Sequence, residues 1–217
     1  MVLVPHRVKE RRAYDSSGRR AEAHLRRKAV LGSARELFTE NGFAATTVAE
    51  VASASGVSSE TIYKAYGGKA GLVRALYAVA LEGEGDVAAE QRSDELRACA
   101  DAREVVTGWS RLAMEVAPKV SSLQLLVRDA ALVDPSLHDL LTELDDARHR
   151  RMTENAEFLR ATGHLRRGVT LHAAADLLWS VSSPEMFELL VSRRGWSLET
   201  YAAFVDSTIA HGLLEPA

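Results

Sequence analysis

The chain is predicted to be all-α, with a basic arm over residues 1–20, a small three-helix unit over residues 21–68 and a larger helical domain over residues 69–217. Three observations predict this. Apolar residues recur at three- and four-residue spacing along most of the 217 residues, and no segment sustains the two-residue alternation of a half-buried strand. Residues that start and stop helices fall at the ends of those periodic runs. A content of 47% hydrophobic and 26% charged residues supplies enough apolar mass to bury a core.

The elements follow in order. A first helix spans about Ala21 to Asn41, with Leu25, Ala29, Val30, Ala34, Leu37 and Phe38 on one face, and Gly42 stops it with a left-handed cap. Thr47-x-x-Glu50 is a capping box, in which each side chain satisfies a backbone N–H of the other residue, so a second helix starts there and runs to about Ser55. Gly56 makes the turn and Ser58 caps a third helix to about Ala65. A fourth helix runs from about Lys69 to Ala89 and bends at Gly83 and Gly85. Another begins near Ala102 and ends before Pro118; the next runs from Lys119 to about Asp134-Pro135. A long helix from Ser136 to about Thr162 carries Leu137, Leu140, Leu141, Leu144, Ala147, Arg148, Met152, Ala156 and Leu159 down one side. Residues 170–191, interrupted by Pro184, and residues 197–214 complete about nine helices.

Charge divides along the chain. Residues 1–71 hold 12 Lys and Arg against 7 Asp and Glu, and the remainder holds 15 against 23, so the net charge of −3 conceals a basic end and an acidic body. A basic end suits a polyanion, or it is an ordinary solvated surface. The arm itself, with Arg7, Lys9, Arg11, Arg12, Arg19 and Arg20, lacks apolar periodicity and is expected to be disordered alone, either lying in a DNA minor groove or forming a solvated tail.

The spacing of Val51, Ala52, Gly56, Val57, Ile62 and Ala65 sets two short helices against each other across a tight turn, which is helix-turn-helix spacing. Ser58, Ser59, Glu60, Thr61, Tyr63 and Lys64 are left pointing outward. Short hydrogen-bonding groups at a helix N-terminus suit phosphates and base edges, and the partial positive charge of that terminus favours the phosphate. An ordinary helical hairpin with a polar face is the alternative.

From Ala34 onward the residues AxxLFxxxGFxxTTVxxVAxxSGVSxxTIYxxYxxKxxLxxALY resemble the TetR (tetracycline repressor) family of bacterial transcription regulators. The resemblance implies that the helix after the turn enters the DNA major groove and that Thr47, Tyr63 and Lys69 hold phosphates. Two residues depart from the pattern: Glu60 stands where many members have glycine, and Tyr66 where phenylalanine is commoner. A carboxylate on the reading helix would repel phosphate unless it accepts from a cytosine amino group or pairs with Lys64.

The resemblance also implies a homodimer on a roughly palindromic double-stranded operator and a small-molecule effector in the larger domain. Pairing is assigned to the last two long helices, with Leu177, Leu178, Trp179, Val181, Met186, Phe187, Leu190, Val191, Trp196, Tyr201, Phe204, Val205 and Ile209, although core packing accounts for such residues too. Trp109, Leu112, Met114, Leu126, Met152 and Trp179 either contact a ligand or belong to the ordinary core. Arg128 and Asp129 either meet a polar ligand or pair locally. The histidines at 138, 149, 164 and 172 lack a ligand spacing, so no metal or cofactor is expected.

Other function classes are less well supported. GxSxG, HExxH and a phosphate-cradling glycine loop are absent, which argues against an enzyme. No run of eighteen apolar residues occurs, and MVLVPHRVKERR lacks the apolar stretch of a signal peptide, so a cytoplasmic protein without a membrane partner is expected. Cys99, alone in the sequence, reads as a buried free thiol or a redox sensor. Two alternatives stay open: a protein-interaction module with a degenerate helix-turn-helix, and an activator rather than a repressor.

Overall fold

The computed structural model describes residues 17–83, 87–99, 101–132 and 134–216, and among these it has ten α-helices and no strand. They are α1 (Ser17–Asn41), α2 (Val48–Ser55), α3 (Ser59–Tyr66), α4 (Lys69–Glu82), α5 (Ala89–Leu96), α6 (Ala102–Ala131), α7 (His138–Ala161), α8 (Leu171–Val181), α9 (Pro184–Phe187) and α10 (Leu198–Leu213). A 3-10 turn at Pro135–Leu137 leads into α7, and α9 runs on into a π-helical stretch, Glu188–Arg193.

α2, α3 and the C-terminal end of α1 keep the predicted boundaries closely, because local caps set them, whereas α1 begins at Ser17, four residues inside the predicted arm. Gly42 lies at φ 81° and ends α1; Gly56 lies at φ 68° and donates back to Ala52 and Ser53. A residue with a β-carbon is disfavoured there, so the sharp turn between α2 and α3 requires glycine. Phe38, Phe43, Val51 and Ile62 are buried beneath that turn, and the Phe38 and Phe43 ring centroids lie 5.2 Å apart.

Four expectations are corrected. The stripe on α1 begins only at Val30: Leu25 is 64% exposed and Ala29 is exposed, because α1 starts at Ser17 and its first three turns project beyond the helices that cover its other half. Ala65 faces a shallow outer groove beside Arg26, Arg27 and Arg74 instead of the α2 contact. The fourth helix stops at Glu82 with Gly83 at φ 75°, and a separate α5 follows. Pro118 does not divide the chain: α6 runs through it for 30 residues. Proline removes one N–H and crowds the preceding turn, but α6 is buried along its length by Val105, Val106, Trp109, Val120, Leu123 and Val127, and that packing outweighs one lost hydrogen bond.

Two apolar clusters meet along α6. The first joins α1 to α4 with the second half of α6 and the start of α7; the second joins the first half of α6 with the end of α7, α8 and α10. Leu72, Val73 and Leu76 of α4 pack in the same cluster as Ile62 of α3. A fork between Arg74 and Glu143, at 2.6–3.0 Å, also ties α4 to α7. None of the described helices is long and apolar enough to cross a membrane.

Candidate nucleic-acid interface and internal cavity

The exposed face of α2 and α3 holds most of the sequence candidates. Thr47 is exposed at the N-cap of α2, where its backbone N–H donates to Glu50 Oε2 at 2.7 Å and its hydroxyl accepts from the Glu50 N–H at 3.2 Å. The Thr47 hydroxyl also donates to Oε2 at 2.8 Å, and the Thr47 backbone N–H, the leading cause, together with that hydroxyl holds the Glu50 carboxyl below its ordinary value of 4.5. A depressed pKa stabilises the fold above the unfolded value and loses that contribution as pH falls through the folded one. Glu50→Gln should therefore melt below the parent at neutral pH, and the gap should close on acidification below about 4.5. A melting-temperature difference unchanged across that pH range would contradict this.

Ser58 caps α3, accepting from the Thr61 N–H at 3.2 Å, and the two hydroxyls lie 2.9 Å apart. Glu60, Thr61, Tyr63 and Lys64 are exposed, Ser59 is half-buried, and Ile62 alone on α3 is buried. Tyr63 is 57% exposed, and its ring passes Gly68 closely enough that a β-carbon there would stand 3.6 Å from Cε1. Lys69 differs from its neighbours. Its ammonium donates to the Phe43 carbonyl at 2.8 Å and sits 4.4 Å from the Phe43 ring centroid, so it braces the α1–α2 loop from the start of α4. The face thus offers serine and threonine hydroxyls, a phenol and an ammonium around one helix N-terminus. Residues 1–16 of the basic arm lie outside the described residues, as does the Arg19 side chain.

These residues fall within a wider match. Residues 30–76 fit the sequence profile described as bacterial regulatory proteins, tetR family. Across α2, α3 and the adjoining parts of α1 and α4 the chain is therefore similar to TetR-family transcriptional regulators. The TetR fold extends beyond the matched segment. A protein from Rhodococcus sp. described as a TetR-family regulator superposes with a TM-score of 0.67 at 19% identity, over 88% of this chain and 99% of that one. NalD of Pseudomonas aeruginosa, the secondary repressor of the MexAB-OprM multidrug efflux pump, gives 0.65 at 20% identity, over 90% and 100%. A regulator structure from Saccharomonospora viridis in complex with choline gives 0.65 at 21% identity, over 90% and 100%. No curated protein sequence matches the chain.

In the larger helical part a cavity of about 260 Å³ lies where the two apolar clusters meet. Trp109, Leu112 and Met152 line it as expected; Met114, Leu126 and Trp179 do not. Leu126 packs on the first cluster instead, and Trp179 lies beneath Arg148, whose guanidinium carbon is 4.6 Å from the Trp179 ring centroid. Met114 is half-buried on another side of α6. Sequence reading missed Tyr77 and Leu81 of α4, and Arg148, Arg151 and Asn155 of α7. The signal for Arg148 was its place within the apolar stripe of α7, where a charge has no solvent reason to stand.

Other candidates resolve locally. Arg128 pairs with Asp129 at 2.8 Å and with Glu188 at 3.3 Å. His149 and His172 both approach Asp176, at 3.4 and 3.2 Å, and among the described residues no three His, Cys, Asp or Glu side chains converge as a metal site. Of the helices assigned to pairing, Leu178, Val181, Phe187, Tyr201, Val205 and Ile209 are spent in the chain's own core, leaving Leu177, Trp179, Met186, Leu190, Val191, Trp196 and Phe204 half-buried.

Proposed function

We propose that this chain is a TetR-family regulator, a dimeric repressor that a small molecule releases from a roughly palindromic operator. Ser58, Ser59, Glu60, Thr61 and Lys64 read or approach the major groove, Thr47 and Tyr63 hold phosphates, and Lys69 reaches a phosphate only with a proton left over from the Phe43 carbonyl. The observation that carries the reading is that α4 serves two places at once. It begins beside the reading helix at Lys69, and its Tyr77 and Leu81 form part of the cavity wall.

Two reading helices related by a two-fold axis reach successive major grooves when they stand about 34–36 Å apart. The half-buried apolar residues of α8, the π-helical stretch and α10 support pairing through that face. A ligand that favours a tilted α4 changes the spacing, and linkage then lowers DNA affinity. A hundredfold loss requires about 2.7 kcal/mol of coupling. That the Saccharomonospora viridis structure is a complex with choline supports a small-molecule ligand for this chain.

The reading is tested by gel shift and footprinting on DNA flanking the protein's own gene. A protected, roughly symmetric site supports it; a purified protein that shifts no such DNA favours the interaction-module alternative. Glu60→Gly should change the preferred bases within that site while leaving random-duplex affinity within about twofold, because the carboxylate faces bases rather than phosphates. Equal changes on both DNAs would remove Glu60 from sequence reading.

A further inference from the structure

The cavity wall holds a buried cation, Arg148, and a single carboxylate, Glu90, which is exposed to solvent, and this arrangement bears on what enters it. Arg148 lines the cavity, and its side chain is only 10% exposed. One of its terminal nitrogens donates to the Trp179 carbonyl, but its Nε–H is buried with no acceptor. Its nearest carboxylate, Asp145, is 3.8 Å away and accepts from Gln124 at 2.5 Å. A buried guanidinium donor left unpaired is costly, and an incoming acceptor relieves that cost.

Asn155, seven residues further along α7, supplies a second donor. Its Oδ1 accepts from Arg97 at 2.8 Å. A guanidinium can only donate, so the amide oxygen must face Arg97 and the NH₂ group is left for the other side, where Asn155 lines the cavity. Arg151 is satisfied by Asp94 at 2.7 Å and Glu154 at 3.2 Å, and Glu90 is exposed to solvent. Ser182 spends its proton on the Leu178 carbonyl at 2.7 Å. The remaining wall, from Tyr77 and Leu81 through Trp109, Leu112 and Val120 to Ile209, is largely apolar.

We infer that the effector is a small amphipathic monocarboxylate whose carboxylate accepts from Arg148 and whose apolar body fills the space between α4, α6 and α7. The inference rests on the ligand-released reading above and names the chemistry of that site. Size narrows the class: at about 30 Å³ per water-sized group, 260 Å³ holds roughly nine such groups, the scale of an eight-carbon acid. A cationic ligand would meet the buried guanidinium while the one carboxylate of the lining, Glu90, stays out in solvent, and a neutral alcohol would leave the charge only partly compensated.

Trp109 in the wall gives a direct readout. Full-length protein is titrated with octanoate, octan-1-ol and octylamine, following tryptophan emission and, separately, the ligand-induced shift in melting temperature. Octanoate should bind at least about tenfold more tightly than either analogue, and Arg148→Met should reduce that preference to within about twofold. Arg148→Lys should restore part of it. Should either variant melt far below the parent, the three-ligand series on the parent protein decides alone. Preference for octanol or octylamine, equal binding of all three, absence of binding by any, or an undiminished octanoate preference in a folded Arg148→Met protein each overturns the inference. The titrations contain no DNA, so they are separable from the regulatory reading. If octanol releases operator DNA as readily as octanoate, the carboxylate assignment falls and the repressor stands; if no DNA binds at all, the repressor falls and the titrations still speak.

Discussion

Gly71→Ala lowers the melting temperature and weakens operator binding, although alanine is the better helix former. On propensity alone the change would stabilise α4 by about 1 kcal/mol. A β-carbon at Gly71, however, would stand 1.6 Å from the Tyr66 carbonyl oxygen and 2.6 Å from its carbon. These are backbone atoms at the last residue of the reading helix, so no rotamer change relieves the clash. Either α4 shifts along its axis or the α3–α4 turn opens. Overpacking commonly costs about 1–3 kcal/mol, and with backbone as the obstacle the upper end applies, which leaves a net loss of about 2 kcal/mol. For a chain of this size that is a fall of about 4–8 °C. Thermal melting and a gel shift on the same preparation check both effects; a raised melting temperature would mean that α3 and α4 are not in close contact there.

Tyr63→Ala leaves the melting temperature nearly unchanged and reduces affinity for specific and random duplexes alike, by about a hundredfold. The phenol is 57% exposed, so little burial is lost with it. A hydrogen bond to a charged acceptor contributes about 1.5–3 kcal/mol, reduced where water competes. At about 1.4 kcal/mol per subunit, two copies give two factors of ten. Salt titrations in parallel should show the same counterion-release slope, because no cation has been removed. A loss confined to one DNA sequence would make Tyr63 a base reader instead of a phosphate clamp.

How much of this was legible depended on the range of the forces involved. The boundaries of α2 and α3 are written in contacts three residues apart: Thr47 with Glu50, Ser58 with Thr61, and Gly56 with the carbonyls just before it. Such signals survive in a bare sequence. The course of α6 through Pro118 is set instead by partners from α4, α5, α7 and α10, none of which a local rule can see. α5 escaped notice because only Ala89, Ser93 and Leu96 carry its inward face, and a stripe that thin resembles loop composition. In the cavity the aromatic and thioether candidates Trp109 and Met152 were readable by type, while Arg148 and Asn155 acquire meaning only from what lies across from them: an Asp145 already engaged, and an Arg97 that dictates which way an amide points.

The eight-residue α3 is moored from within by Ile62, fully buried, and by Tyr66, packed partly against the same core. Most of its other positions can therefore change without disturbing what keeps the protein folded. On the proposed reading of α3, durability and choice of target rest on separate letters of the same eight-residue word.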